Sequence, residues 1–359
     1  MKIVQASFAF ISAALSRPLI TARGQIDTRE GFLLTVHSDS GQPGFGEASP
    51  AYWIGGEQIA QTRKALDWIV KQIERSPDSN DLREWILAAA SDNSALTPAA
   101  ACAFDTALLD LQAREREVAL AALLTGKPLE PVHVCALLTS RTPAEIADEA
   151  RIAKAEGYRC FKLKVGGRAI DEDVKALDAL RETLRDEYTV RLDANRGWTL
   201  AEAECALKLL SRYRIEFVEE PLKSADPGEL LRLRDAAGIP LALDESIICK
   251  SDLERFIANN SADYVVLKTA RVGGPTRLFE IAILAQSAGI KVVVTDSIET
   301  SVGMSIAVHL AAALPPPRSA AGLGGARVLS SISAPGFRFR IAPSLAARGP
   351  GLTVSANNS

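Results

Sequence analysis

From residue 131 onward, short apolar runs recur, and every run after the first leads into a charged side chain: Lys164, Asp193, Glu219, Asp244, Lys268 and Asp296. The intervals between them are 29, 26, 25, 24 and 28 residues, room for one short strand, a helix of about three turns and two loops. The apolar runs cover residues 132–138, 160–165, 190–192, 216–218, 241–243, 264–267 and 292–294, with helical patterns at 143–156, 172–184 and 275–288 between them. Repeated βα units predict a parallel sheet and an α/β class. The charged residues then occupy equivalent places at strand C-terminal ends, where barrels and open doubly wound sheets both build their sites. Seven or eight consecutive units with no Gly-rich phosphate fingerprint after the first strand favour closure into a TIM-type barrel.

Residues 1–130 read differently. Strand patterns at 3–10 and 32–37, a Gly/Pro-rich loop at 41–50, and helical patterns at 57–75, 81–90 and 98–117 are segregated, which predicts an α+β unit. The opening segment, with a single lysine and an apolar stretch broken by Gln5 and Ser7, reads as a first strand of a cytoplasmic protein rather than an export signal. No apolar run reaches the roughly 18 residues needed to span a bilayer.

The balance of 41 Lys+Arg against 44 Asp+Glu, net −3, lacks the basic excess that phosphate-backbone contact requires and disfavours a nucleic-acid partner. Five scattered cysteines and three scattered histidines (His37, His133, His309) form no zinc-like set. The chemistry must therefore rest mostly on carboxylates and lysines, and a small-molecule carboxylate is the expected partner.

If the barrel closes, Asp193, Glu219 and Asp244 come from three adjacent strands and converge. Three buried anions need a cation, and an all-oxygen set points to a hard ion, Mg²⁺ before Ca²⁺, with Mn²⁺ as a possible substitute. Of the doublet Glu219–Glu220, only one can face the barrel axis; Glu219 is taken as the inward member because it shares the parity of Phe217. Lys162 and Lys164 share a parity and point inward. Lys268 ends the strand four units later, half a turn around an eight-stranded barrel, so Lys164 and Lys268 should face each other across the metal. Such a pair can take and return an α-proton while the cation stabilises the enediolate.

This arrangement resembles the enolase superfamily, muconate-lactonizing-enzyme subgroup, through its K-x-K (162–164), D-A-N (193–195), E-E-P (219–221), D-E-S (244–246) and lone-lysine (268) signatures. The resemblance implies an N-terminal capping domain (1–130), a modified (β/α)7β barrel (131–325) and a C-terminal segment returning to the cap (326–359). It implies Asp193, Glu219 and Asp244 as Mg²⁺ ligands and Lys164 and Lys268 as the acid/base pair. Within the subgroup, RLDANRGW, FVEEP, DSIETSVGM and AGLGGARVL are most similar to o-succinylbenzoate synthases. Those are lyases of menaquinone biosynthesis that dehydrate 2-succinyl-6-hydroxy-2,4-cyclohexadiene-1-carboxylate. That likeness implies Lys162, Arg191, Thr295 and Gly322 as substrate-binding residues. The alternative is an isomerase, an N-succinylamino acid racemase or dipeptide epimerase, using the same lysines. Strand eight, ending Ala321–Gly322–Leu323–Gly324, offers no carboxylate to a substrate ammonium, and its glycines should expose N–H groups to an anion. Asp296 could supply the missing anion if it points inward.

Overall fold

The structure is a computed structural model describing residues 2–21, 24–54, 56–75, 96–126, 129–185, 187–325 and 342–356. The helix expected at 81–90 and the first part of the C-terminal segment, 326–341, lie outside the described residues.

The cap begins with an antiparallel sheet of β1 (Ile3–Thr21), β2 (Gly24–Ser38) and β3 (Pro43–Ala48) in the order β1-β2-β3. β1 runs well past the expected residue 10. Over residues 11–16 no β1 side chain is fully buried, and Ile-Ser-Ala-Ala-Leu-Ser carries no apolar/polar alternation to mark the strand. Helices Ile59–Arg75 and Pro98–Glu115 pack on this sheet around Leu34, Val36, Leu66, Ile69, Phe104 and Leu108. Gly44 and Gly46 let β3 lie against the second helix; a Cβ at Gly46 would fall 1.8 Å from the Ala103 carbonyl oxygen.

The expected strand at 132–138 divides in two. β4 (Val132–His133) pairs with β12 (Ser344–Ala347), while β5 (Cys135–Leu138) begins the barrel. The chain changes sheets at Val134, whose N–H goes to Pro343 (2.9 Å), whereas that of Cys135 goes to Ala321 (2.8 Å). β6 (Cys160–Lys164), β7 (Thr189–Asp193), β8 (Val218–Glu219), β9 (Leu241–Leu243), β10 (Tyr264–Lys268) and β11 (Lys291–Thr295) follow in one parallel sheet. Closure comes from Ala321 and Gly322, which bridge Val134 on one side and Thr295 on the other. Among the described residues this is an α/β barrel of seven strands and a minimal eighth.

Alternation sorts the barrel side chains into two cores. Outward-facing Leu163, Val190, Leu192, Val218, Leu243 and Leu267 pack on the surrounding helices, and inward-facing Phe217, Ala242, Tyr264, Val266 and Val293 fill the bore. Several helices start on sequence-encoded caps; Thr142 and Thr199 form capping boxes with Glu145 and Glu202. No helix among the described residues is long and apolar enough to cross a membrane.

Buried acids fasten cap to barrel. Glu47 accepts hydrogen bonds from Thr300 N (2.8 Å), Thr300 Oγ1 (2.7 Å) and Gly303 N (2.9 Å) at the start of helix Ser301–Ala313. Asp105 does the same for Thr276 (N, 2.8 Å; Oγ1, 3.0 Å). Buried Arg29 reaches Ile298 O (3.0 Å), Pro50 O (2.8 Å) and Ser49 O (2.6 Å) and stacks on Trp53 at 4.6 Å. The end of the chain also returns to the cap helix, where Leu352 N donates to Asp110 (2.8 Å).

Glu299 lies in this junction, 5% exposed. Burial, then Asp296 and Glu47, push its carboxyl from about 4.5 up to about 7, against the pull of Arg29. A carboxyl raised on folding contributes most below its unfolded value, and that contribution is lost as pH rises through about 7. Glu299→Gln should therefore flatten the fall in stability between pH 5 and pH 8, read as the difference between wild-type and variant denaturation midpoints. Parallel pH profiles would contradict this.

Candidate active site

The C-terminal ends of five adjacent strands carry, in order, Lys164, Asp193, Glu219, Asp244 and Lys268. The pairing register aligns Lys164 with Asp193 and Asp193 with Glu219, and Asp244 directly follows β9. Two lysines thus flank three acids, on strands four positions apart.

Lys162, one inward position below Lys164, lies between two of the acids: its Nζ is 2.8 Å from Asp193 Oδ2 and 2.7 Å from Glu219 Oε1. Burial opposes its charge, but Asp193, Glu219 and Asp244 more than offset this and hold it as an ammonium well above the ordinary lysine value. Burial likewise opposes ionisation of Asp193, yet Lys162 and Lys164 keep its carboxyl below the usual range. For Glu219, burial and neighbouring Asp193 prevail over Lys162 and raise it well above its ordinary value. Lys268 pairs with Asp244 Oδ2; burial opposes its charge, and Asp244, Glu245 and Glu219 raise it. Lys164 is exposed at the barrel mouth.

Among the described residues no three acid, histidine or cysteine side chains converge on one point, because Lys162 and Lys268 stand against the acids. The donor set nevertheless fits a hard divalent cation. All the candidate donors are carboxylate oxygens, and Asp244 Oδ1 is buried with no hydrogen-bond partner. A buried, unpaired carboxylate oxygen is costly without a cation.

Glu220 faces away from the bore, as parity requires, and does separate work. It accepts from Asp244 N (2.7 Å), Arg196 Nε (3.0 Å) and Ser246 Oγ, tying together the loops after β7, β8 and β9. The backbone there is strained: Asn195, Arg196 and Glu220 have φ of 43°, 61° and 42°. The second acid of the other doublet, Glu245, is raised to about 7 by burial and Asp244. The paired acids of E-E-P and D-E-S were the available signal for these supporting roles.

The expected substrate contacts fall at different depths. Arg191 lies a layer below Asp193, 2% exposed, bonded to Glu216 (2.6 Å) and Ala320 O (2.7 Å). Thr295 Oγ1 donates to Gly322 O at 2.6 Å. One of the glycine N–H groups expected to face an anion is already used, since Gly322 N donates to Val294 O (2.8 Å), and the N–H of the following Gly325 goes to Asp296 Oδ2 (3.1 Å). The requirements of barrel closure take precedence there. The other oxygen of Asp296 accepts from Ile298 N (2.8 Å), and burial raises its carboxyl to about 6 despite these bonds and the charges of Lys268 and Lys162.

Lys162→Met removes the ammonium shared by two buried acids. It should lower stability by about 3–5 kcal/mol, and added Mg²⁺ should recover part of that loss in a thermal melt. An unchanged melting temperature without Mg²⁺ would contradict the role given to Lys162.

Residues 145–359 match the enolase C-terminal domain-like family, and residues 6–125 match the mandelate racemase / muconate lactonizing enzyme N-terminal domain. N-succinyl-L-Arg/Lys racemase of Bacillus cereus is 27% identical over 315 residues, covering 87% of this chain and 84% of that protein. The solved dipeptide epimerase of Enterococcus faecalis, complexed with Mg and the dipeptide L-Leu-L-Tyr, superposes with a TM-score of 0.91 at 28% identity over 99% of this chain and 100% of that one. The o-succinylbenzoate synthase of Thermobifida fusca is 37% identical over 202 residues, 55% of this chain and 62% of that protein. The acid set and this Mg-bearing neighbour make Mg²⁺ the cofactor.

Proposed function

Since the chain belongs to the enolase superfamily, in its muconate-lactonizing-enzyme subgroup, and is an enzyme, we propose that it is an isomerase that racemises N-acylated amino acids, N-succinylamino acids above all. The observation that carries this reading is the pair of lysines, Lys164 and Lys268, on strands four apart around one group of acids.

Asp193, Glu219 and Asp244 would hold the cation. Bound there, Mg²⁺ supplies positive charge for a substrate carboxylate whose negative charge grows as the α-proton leaves. Lys164 takes the α-proton from one face of the α-carbon, and Lys268 returns a proton to the other; the opposite enantiomer runs the exchange in reverse. Lys268 must be neutral for that reverse step, and it would give up its proton more readily if its partner Asp244 were engaged by a cation instead. Lys162 stays protonated, fixing Asp193 and Glu219. Inward-packed Phe217, Val266 and Val293 close the bore beneath and keep water out.

An acylated rather than free amino group fits the far end of the pocket. A substrate ammonium needs a buried carboxylate partner. Gly322–Leu323–Gly324 carries none, and both oxygens of nearby Asp296 already accept backbone N–H groups.

The test is a panel of N-succinylamino acids, unblocked dipeptides and 2-succinyl-6-hydroxy-2,4-cyclohexadiene-1-carboxylate. The highest kcat/KM should fall on an N-succinylamino acid. A higher value for a dipeptide would overturn the choice of substrate and make Asp296 the ammonium partner. A second reading, the o-succinylbenzoate synthase reaction, is favoured by the 37% identity to the Thermobifida fusca enzyme. It shares the α-proton step and would be preferred if dehydration of the cyclohexadiene carboxylate were fastest.

A further inference from the structure

Cys135 on β5 and Cys160 on β6 are direct partners in the parallel register. Both are buried, and their sulfurs lie 2.9 Å apart, the Cys160 thiol donating to Cys135. Directly opposed residues on neighbouring strands lie about 4.8 Å apart at Cα, within the span a disulfide bridges. Cys160 shares the inward face of β6 with Lys162 and Lys164, so the pair lies in the bore beneath the reactive groups. None of the proton-transfer chemistry above uses it.

We propose that Cys135 and Cys160 are a modification site: a dithiol that a hydroperoxide converts to an intrachain disulfide under the active site. The inference stands independently of the substrate reading. The Cys135 thiolate attacks the peroxide, so that an S–O bond forms, the O–O bond breaks and the leaving oxygen takes a proton. The Cys160 sulfur then attacks the resulting sulfenic acid; the S–S bond forms, the S–O bond breaks, and hydroxide leaves as water with the Cys160 proton. The two thiols lose two electrons, and hydrogen peroxide is reduced to two waters.

The surroundings assign the order of attack. Burial pushes the Cys135 thiol up, but the Cys160 hydrogen bond, the Arg191 guanidinium and the Lys162 ammonium outweigh it and leave the thiol below its ordinary value. Burial and the hydrogen bond it donates push Cys160 well above that value. Cys135 is therefore the nucleophile and Cys160 the thiol that resolves it. Burial slows the entry of bulky oxidants and selects for a small one.

The full-length Cys205→Ser/Cys249→Ser protein, which lacks the two exposed thiols, is treated while folded with hydrogen peroxide, then denatured, alkylated and mapped by peptide mass spectrometry. The expected result is one cross-linked pair joining positions 135 and 160, released by dithiothreitol, with Cys102 still alkylated. With Cys160→Ser added, Cys135 should stop at a sulfenic acid that dimedone traps. The wild-type chain, mapped in the same way, decides the matter if a variant fails to fold. Full alkylation of Cys135 and Cys160, or sulfinic acid at Cys135 beside a free Cys160, would overturn the proposal.

Discussion

Chelation of the divalent cation abolishes turnover, and Mg²⁺ restores it, with Mn²⁺ as a substitute. This is the largest effect expected, because the cation meets the charge that develops on the substrate carboxylate; the loss should exceed about 10³-fold. Asp193→Asn, Glu219→Gln and Asp244→Asn should each weaken Mg²⁺ binding, measured by calorimetry, while circular dichroism shows the fold intact. Asp244→Asn has a further consequence, since it removes the partner of Lys268 and should lower the pKa of that lysine. Full activity in chelated buffer would contradict the assignment.

Replacing either end lysine should be nearly as severe. Lys164→Ala and Lys268→Ala are each expected to lower the racemisation rate by about 10²–10⁴-fold, the range for a lost acid or base, and by more where the charge also stabilises the transition state. Lys268→Arg separates the two roles. Arginine keeps a cation beside Asp244 but does not give up its proton, so this variant should fold as well as wild type and remain inactive. Substantial turnover by Lys268→Arg would show that Lys268 acts through its charge alone.

Much of the framework was legible in the chain because strand spacing in a barrel is a physical constraint. The residues read as strand ends, Lys164, Asp193, Glu219 and Lys268, close or immediately follow their strands, and Asp244 and Asp296 follow theirs by one position. Parity separated Glu219 from Glu220, although it gave no hint that Glu220 would bind three loops together. Long-range partners left weaker traces. Glu47 sits in the Gly/Pro-rich stretch 41–50, which reads as a loop although Pro43–Ala48 forms β3, and its contacts with Thr300 and Gly303 lie more than 250 residues away. Gly322 reads as an exposed glycine; its N–H is consumed by an eighth strand too short to carry any periodic signal. Cys135 and Cys160, 25 residues apart, form no recognised spacing, and only the register of adjacent strands brings them together.

The account centres on two lysines acting from opposite faces of one α-carbon, and hydrogen exchange tests this most directly. Each enantiomer of an N-succinylamino acid is incubated in D₂O with the Mg²⁺-loaded wild type, Lys164→Ala and Lys268→Ala, and α-deuterium is followed by NMR. Wild type should exchange and racemise both enantiomers. Each single variant should lose racemisation yet still exchange one enantiomer, the two variants retaining opposite ones. Exchange of the same enantiomer by both variants, or undiminished exchange of both enantiomers by either, would contradict the two-base arrangement.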